Sequence, residues 1–289
     1  MIPAAFEYHA PTSMQEVLTL LRRYPKESSV IAGGHSLIPM MKLRLAQPGH
    51  VIDLGFVPSL AYIRELKDGL AIGPMTTYSM LETSALINQR VPALAEAASL
   101  VGDVQVRNKG TLGGSLAHSD PAADLPAVIV SLEGRVRVIG GARPRSIPAR
   151  RFFVDMFLTA LTDGEIISEI YLPTLSERNG NAYEKFANKA SHFALVGVAA
   201  SVTLHEDGTC NKVRVGITGA GPSAVRGSAV EALLRNKEPS VVNIQRASKK
   251  AGQGMEFQED IHGSIEYREH LTRILTEKAL IEAVNRALK

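Results

Sequence analysis

Two Gly-Gly pairs in matching surroundings constrain this chain more than any other feature. The first lies in "AGGHSLIPMMKLRL", Ala32 to Leu45, after the apolar run "SSVIA". The second lies in "KGTLGGSLAHSDPAAD", Lys109 to Asp124, and its Gly113 comes eighty residues after Gly33. Glycine reaches positive φ at no steric cost and lets another backbone or a ligand approach where a Cβ would stand. Successive amides in such a turn make a concave anion site, and a following helix N-terminus adds partial positive charge. Each pair is expected to be a tight turn, one in each of two α/β units. Together they point to one elongated, pyrophosphate-containing ligand gripped from both sides, and a flavin dinucleotide fits that description without a Rossmann fold.

The better-known phosphate signatures are missing. No G-x-x-x-x-G-K-[ST] occurs, so a P-loop is excluded. "GITGAGPSA" (216–224) has Gly219-x-Gly221 but Ala224 where the next glycine belongs, so it reads as a loop leaving a strand. A net charge of +3 with scattered basic pairs offers no nucleic-acid footprint. The single cysteine, Cys210, excludes an intramolecular disulfide and any Cys-ligated iron–sulfur cluster built by this chain alone. It reads as part of a polar hairpin turn and a poor nucleophile. "FALVGVAASV" is far too short to span a bilayer, and the N-terminal residues lack the basic region of a secretory signal. The expected compartment is the cytoplasm, with no transmembrane segment.

Periodicity divides the chain into an N-terminal α/β unit (1–55), a middle mixed region (56–177) and a C-terminal part (178–289). In the first, "SMQEVLTLLRRY" is a helix capped by Ser13 or Thr12, between strands "SSVIA" and "HVIDL". In the second, "LAYIREL" and "LAIGPM" form a strand pair about the turn Lys67-Asp68-Gly69. "DPAADLPAVIVSLEG" reads as a helix with Asp120 at the cap, Pro121 at its first position and Gly134 past its end. "TLSERNGN" (174–181) is the candidate linker. Beyond it, "VAASVTLH" and "KVRVGIT" alternate about Glu206-Asp207-Gly208 as a hairpin, followed by three helical segments.

Other polar residues give weaker signals. His35 and His118 have no partner at metal-ligand spacing, so no metal site is expected. Asp124 sits where an ordinary helix-dipole acid belongs. Lys185 fits a solvated strand position, and Phe193 is most simply a core aromatic. No spacing suggests a Ser-His-Asp or Cys-His site, so no catalytic side chain is expected.

"AGGHSLIPMMKLRLAQP" and "GTLGGSLAHSDPAADLPA" closely resemble the two flavin-binding motifs of the medium subunit of molybdenum hydroxylases, the carbon monoxide dehydrogenase type above all, within the wider xanthine dehydrogenase family. The resemblance implies an α+β chain with the vanillyl-alcohol-oxidase-type FAD-binding fold of two α/β subdomains, followed by a three-stranded antiparallel sheet with helices. It implies FAD held by Ala32, Gly33, Gly34, His35, Ser36 and Leu37 from the first motif, and by Thr111, Leu112, Gly113, Gly114 and Ser115 from the second. Asp124 matches a position that hydrogen-bonds FAD, Lys185 a basic residue near the pyrimidine edge of the flavin, and Phe193 a bulky residue near the ring. Ser115 departs from the Asn of many relatives. The implied complex joins a large molybdopterin subunit and a small [2Fe–2S] subunit as a dimer of heterotrimers, with electrons leaving to an external acceptor. A self-contained flavin oxidoreductase and a non-catalytic assembly subunit remain as alternatives, the intact glycines speaking against the second.

Overall fold

A computed structural model describes residues 2–289. The first unit is a three-stranded parallel sheet in the order Glu7–His9, His50–Asp53, Ser28–Ile31. Helix Met14–Arg23 covers it, burying Val17 with Ile52 and Leu54. Its start follows from local chemistry: Ser13 Oγ accepts the Glu16 amide, while the Glu16 carboxylate accepts the Thr12 amide. The Glu7–His9 edge strand, three residues long, is too short to show a period in the sequence.

The middle unit is a five-stranded antiparallel sheet, ordered Ile63–Leu66, Gly69–Ile72, Ile166–Pro173, Arg135–Ile139, Arg145–Pro148. Its helices include Pro92–Ser99, with proline at the first position, and Leu125–Ser131. The expected helix from Asp120 starts later. The Asp120 carboxylate accepts the Ala122 amide instead, closing a separate turn, and the helix begins only after Asp124.

In the last unit, Asn179–Ala187, Ala194–Leu204 and Cys210–Thr218 form the expected antiparallel strands. A fourth, two-residue strand, Val225–Arg226, pairs with Gly216 and Ile217 and raises the count from three to four. Ala194–Leu204 is buried on both faces despite its alternation. Helix Ile265–Ala287 covers one face, and helix Leu125–Ser131 packs on the other side. Gly216 makes that second contact possible, since a Cβ there would stand 2.0 Å from the Ala127 carbonyl oxygen. The linker residues 179–181 belong to the first strand, where buried Asn181 accepts the Ala93 amide at 2.9 Å. Cys210 opens a strand and is 1% exposed, so it is no turn residue, and burial pushes its thiol up to about 11.

Candidate functional site: a cleft between the two glycine segments

The first pair is the turn its composition implies. Strand Ser28–Ile31 delivers the chain to Gly34 at φ +74°, after which helix Leu37–Lys42 begins. The second pair is not a turn. Gly113 and Gly114 lie in the first turn of helix Leu112–His118, whose cap Thr111 accepts the Gly114 amide through its hydroxyl. These glycines serve close approach. A Cβ on Gly113 would stand 2.6 Å from Pro74 Cβ. The backbone there is pinned by the Leu112 amide donating to Thr76 and the Gly113 amide donating to Pro74.

The two segments meet. A Cβ on Gly33 would stand 2.1 Å from the Lys109 carbonyl oxygen, so the first turn lies directly against the chain that enters the second motif. Gly114 faces Ala32, whose Cβ lies 3.8 Å from where a Gly114 Cβ would be. Between and below them runs a cleft of about 580 Å³, within the range of small-molecule and cofactor sites. Ala32 through Leu37, Thr111, Gly113, Gly114, Ser115, Asp124 and Phe193 line it. Leu112 does not, being wholly buried behind the helix, and neither does Lys185.

The donors along the wall suit an anion. Among the described residues, the amides of Gly33, Gly34, His35 and Ser36 donate to nothing, and the Ser36 hydroxyl caps nothing. No lysine or arginine lines the cleft. A phosphate there would be held by neutral dipoles, an arrangement that consecutive backbone amides supply well. Residues and geometry therefore fit a dinucleotide.

Lys185 is held behind the wall. Its ammonium donates to Asp124 Oδ2 and to the Leu100 carbonyl, each at 2.9 Å, and the side chain is 2% exposed. Asp124 also accepts the Tyr183 hydroxyl at 2.6 Å. Burial pushes the Asp124 carboxyl up, against the pull of Lys185 and Tyr183, and it drives the Tyr183 phenol well above its usual value. The lysine is thus a buried ion-pair member and not a solvated strand residue. Phe193 is half exposed at the cleft mouth, on the loop between the first two strands of the last sheet, and so is no core aromatic.

Several lining residues carry no sequence signal. Tyr78 is partly buried and its phenol is pushed up to about 12, so it remains neutral at the cleft wall. Val101, Gly102, Ser191 and His192 come from loops that show no period or motif. His118, whose imidazole burial keeps below its usual value, leans on Phe157 with ring centroids 5.0 Å apart. Glu165 also lines the cleft, held at about 2 by Arg145.

Residues 4–175 match the family described as "FAD binding domain in molybdopterin dehydrogenase", and residues 181–283 match "CO dehydrogenase flavoprotein C-terminal domain". The carbon monoxide dehydrogenase medium chain of Hydrogenophaga pseudoflava is 38% identical over 281 residues, covering 97% of each chain. The alpha subunit of the 6-hydroxypseudooxynicotine dehydrogenase complex of Paenarthrobacter nicotinovorans is 36% identical, over 99% of this chain and 97% of its own. A solved carbon monoxide dehydrogenase from Hydrogenophaga pseudoflava superposes with a TM-score of 0.95 at 39% identity, over 99% of both chains. The mixed helix-and-sheet architecture is therefore that flavoprotein fold, and no helix among the described residues is long and apolar enough to cross a membrane. This chain belongs to the FAD-binding family of the molybdopterin dehydrogenases, as the FAD subunit of an oxidoreductase complex of the molybdenum hydroxylase type.

Proposed function

We propose that this chain is the electron-transfer subunit of a cytoplasmic heterotrimer, with a large molybdopterin subunit and a small [2Fe–2S] subunit, two trimers forming the assembly. Its three parts would be 1–55, 56–177 and 178–289, with one FAD between the first two. When bound, FAD supplies the redox chemistry that links a [2Fe–2S] partner to an external acceptor. The observation that carries this reading is the convergence of both glycine segments on one cleft, lined by the Gly33–Ser36 turn whose four amides donate to no protein acceptor among the described residues.

In this reading Gly33, Gly34, His35 and Ser36 bind the pyrophosphate through their amides. Thr111 fixes the helix start that brings Gly114 and Ser115 to the opposite wall. Asp124, held by Lys185 and Tyr183, presents a fixed polar edge, and Phe193 covers the mouth. No side chain is assigned acid–base or nucleophilic work. Titration of the purified chain with FAD should reach one equivalent, with the flavin fluorescence quenched. Co-expression with the neighbouring reading frames should recover two partner chains. A chain that binds no flavin, or that turns over an organic substrate alone, would sink the proposal.

A further inference from the structure

On the first sheet, away from the cleft, three potential metal ligands share one face. Glu7 lies directly opposite His50 in the parallel register, and His9 lies two residues further along the same strand. Side chains at i and i+2 of a strand project to the same side, as do residues paired across neighbouring strands. The pleat therefore brings Glu7, His9 and His50 together although the sequence separates them by as many as 43 positions (50 − 7).

Their ligand atoms are correspondingly close. His9 Nε2 stands 3.0 Å from His50 Nδ1, and Glu7 carboxylate oxygens stand 3.4 Å from His50 Nδ1 and 4.0 Å from His9 Nε2. Two imidazole nitrogens bound to one zinc ion at roughly 2.0–2.1 Å, with bond angles between right-angled and tetrahedral, would stand about 2.9–3.4 Å apart. The observed pair falls in that range. A single shared proton can also join the two rings, and a metal ion can replace it with little movement. A carboxylate within reach of both nitrogens is what the bare ring-to-ring hydrogen bond does not require.

The surroundings favour a fixed site. The His9 and His50 side chains are 14% and 15% exposed, while Glu7 is 63% exposed and leaves an entry from solvent. Tyr24, where helix Met14–Arg23 ends, stacks on His50 with centroids 3.6 Å apart and lies 5.5 Å from His9. Both rings are thereby oriented before any ion arrives. Two imidazoles and one carboxylate suit zinc, copper, nickel or cobalt better than calcium or magnesium. None of the three residues lines the flavin cleft.

We propose that Glu7, His9 and His50 form a binding site for one divalent transition-metal ion, which ties the Glu7–His9 edge strand to its neighbour. The test uses the full chain, loaded with FAD and stripped of metal by chelator, titrated with Zn²⁺ and separately with Co²⁺. Expected are one tight equivalent of Zn²⁺, a visible Co²⁺ spectrum of nitrogen–oxygen ligation, and a rise in the thermal midpoint on adding Zn²⁺. His9→Phe and His50→Phe, which keep a ring in each position, should weaken Zn²⁺ at least tenfold and lose the midpoint rise. Glu7→Gln alters an exposed side chain and so reports even if a histidine variant fails to fold; it should also bind more weakly. Flavin content should be unchanged in every folded variant. Absence of a tight Zn²⁺ equivalent in the wild-type chain, or undiminished binding in Glu7→Gln together with either histidine variant, overturns the site.

Discussion

Alanine at Gly33 and alanine at Gly114 should fail in different ways, because the two glycines leave room for different things. At Gly33 the added Cβ would stand 2.1 Å from the Lys109 carbonyl oxygen and 2.8 Å from Gly110 Cα. Both obstacles are backbone, so the first turn and the entry to the second motif must separate by an ångström or more. Overpacking of that kind costs about 1–3 kcal/mol, occasionally more. At Gly114 the Cβ meets only the Thr111 hydroxyl at 2.8 Å and Ala32 Cβ at 3.8 Å. Alanine inside a helix gains about 1 kcal/mol over glycine, which offsets the crowding of that hydroxyl. Gly114→Ala should therefore keep the stability of the flavin-free chain within about 1 kcal/mol, while its methyl occupies the wall that faces the cofactor. FAD should bind at least tenfold more weakly, a loss of about 1.4 kcal/mol. Gly33→Ala should lower both stability and flavin content. Chemical denaturation of the flavin-free chains and fluorescence titration with FAD separate the two effects. If Gly114→Ala binds FAD with wild-type affinity, or Gly33→Ala keeps wild-type stability and flavin, the two-sided grip is wrong.

Other residues give sharper tests of the surrounding chemistry. Lys185→Met leaves the buried Asp124 carboxyl with the Tyr183 hydroxyl but without its cation, and breaking a buried pair costs about 3–5 kcal/mol; denaturation should show that loss, partly restored by adding Asp124→Asn. Because no cation lines the cleft, FAD affinity should change less than threefold between low and high salt; a steep salt dependence would mean that basic side chains hold the phosphates. Glu165 is held at about 2 by Arg145, below its unfolded value, so the pair's contribution is full above pH about 4.3 and lost as pH falls toward 2. Arg145→Met should be less stable than wild type at pH 7, and that gap should close through this window; a gap constant with pH would refute the assignment.

Local signals were legible where one short segment decides the structure. Ser13 or Thr12 reads as the cap from residue type and position alone, and the structure places it at Ser13, whose hydroxyl accepts the Glu16 amide. The hairpin about Glu206-Asp207-Gly208 reads from alternation with a glycine that reaches φ +85°. The second glycine pair misled because composition cannot separate glycine needed for φ from glycine needed for approach. What decides is the contact with Pro74, 39 residues earlier in the chain (113 − 74), which the sequence does not express. Lys185 misled similarly: its exposure depends on Asp124 and Leu100, neither of them near it in the chain.

That buried pair and the amide wall belong to one solution. A lysine placed openly in the cleft would attract the phosphates strongly, but also bulk anions, and its hold would weaken with salt. Here the lysine charge is spent on Asp124, and the carboxylate that faces the cleft is thereby fixed in place. Recognition then falls to groups whose positions the backbone sets: four amides in the Gly33–Ser36 turn and a helix start pinned to residues 74–77. Such groups cost little reorganisation when a ligand arrives, and they distinguish ligands by shape more than by charge. The glycines are what let those backbones come close enough to act together, which is why the paired segments, rather than any charged side chain, carry the binding information in this sequence.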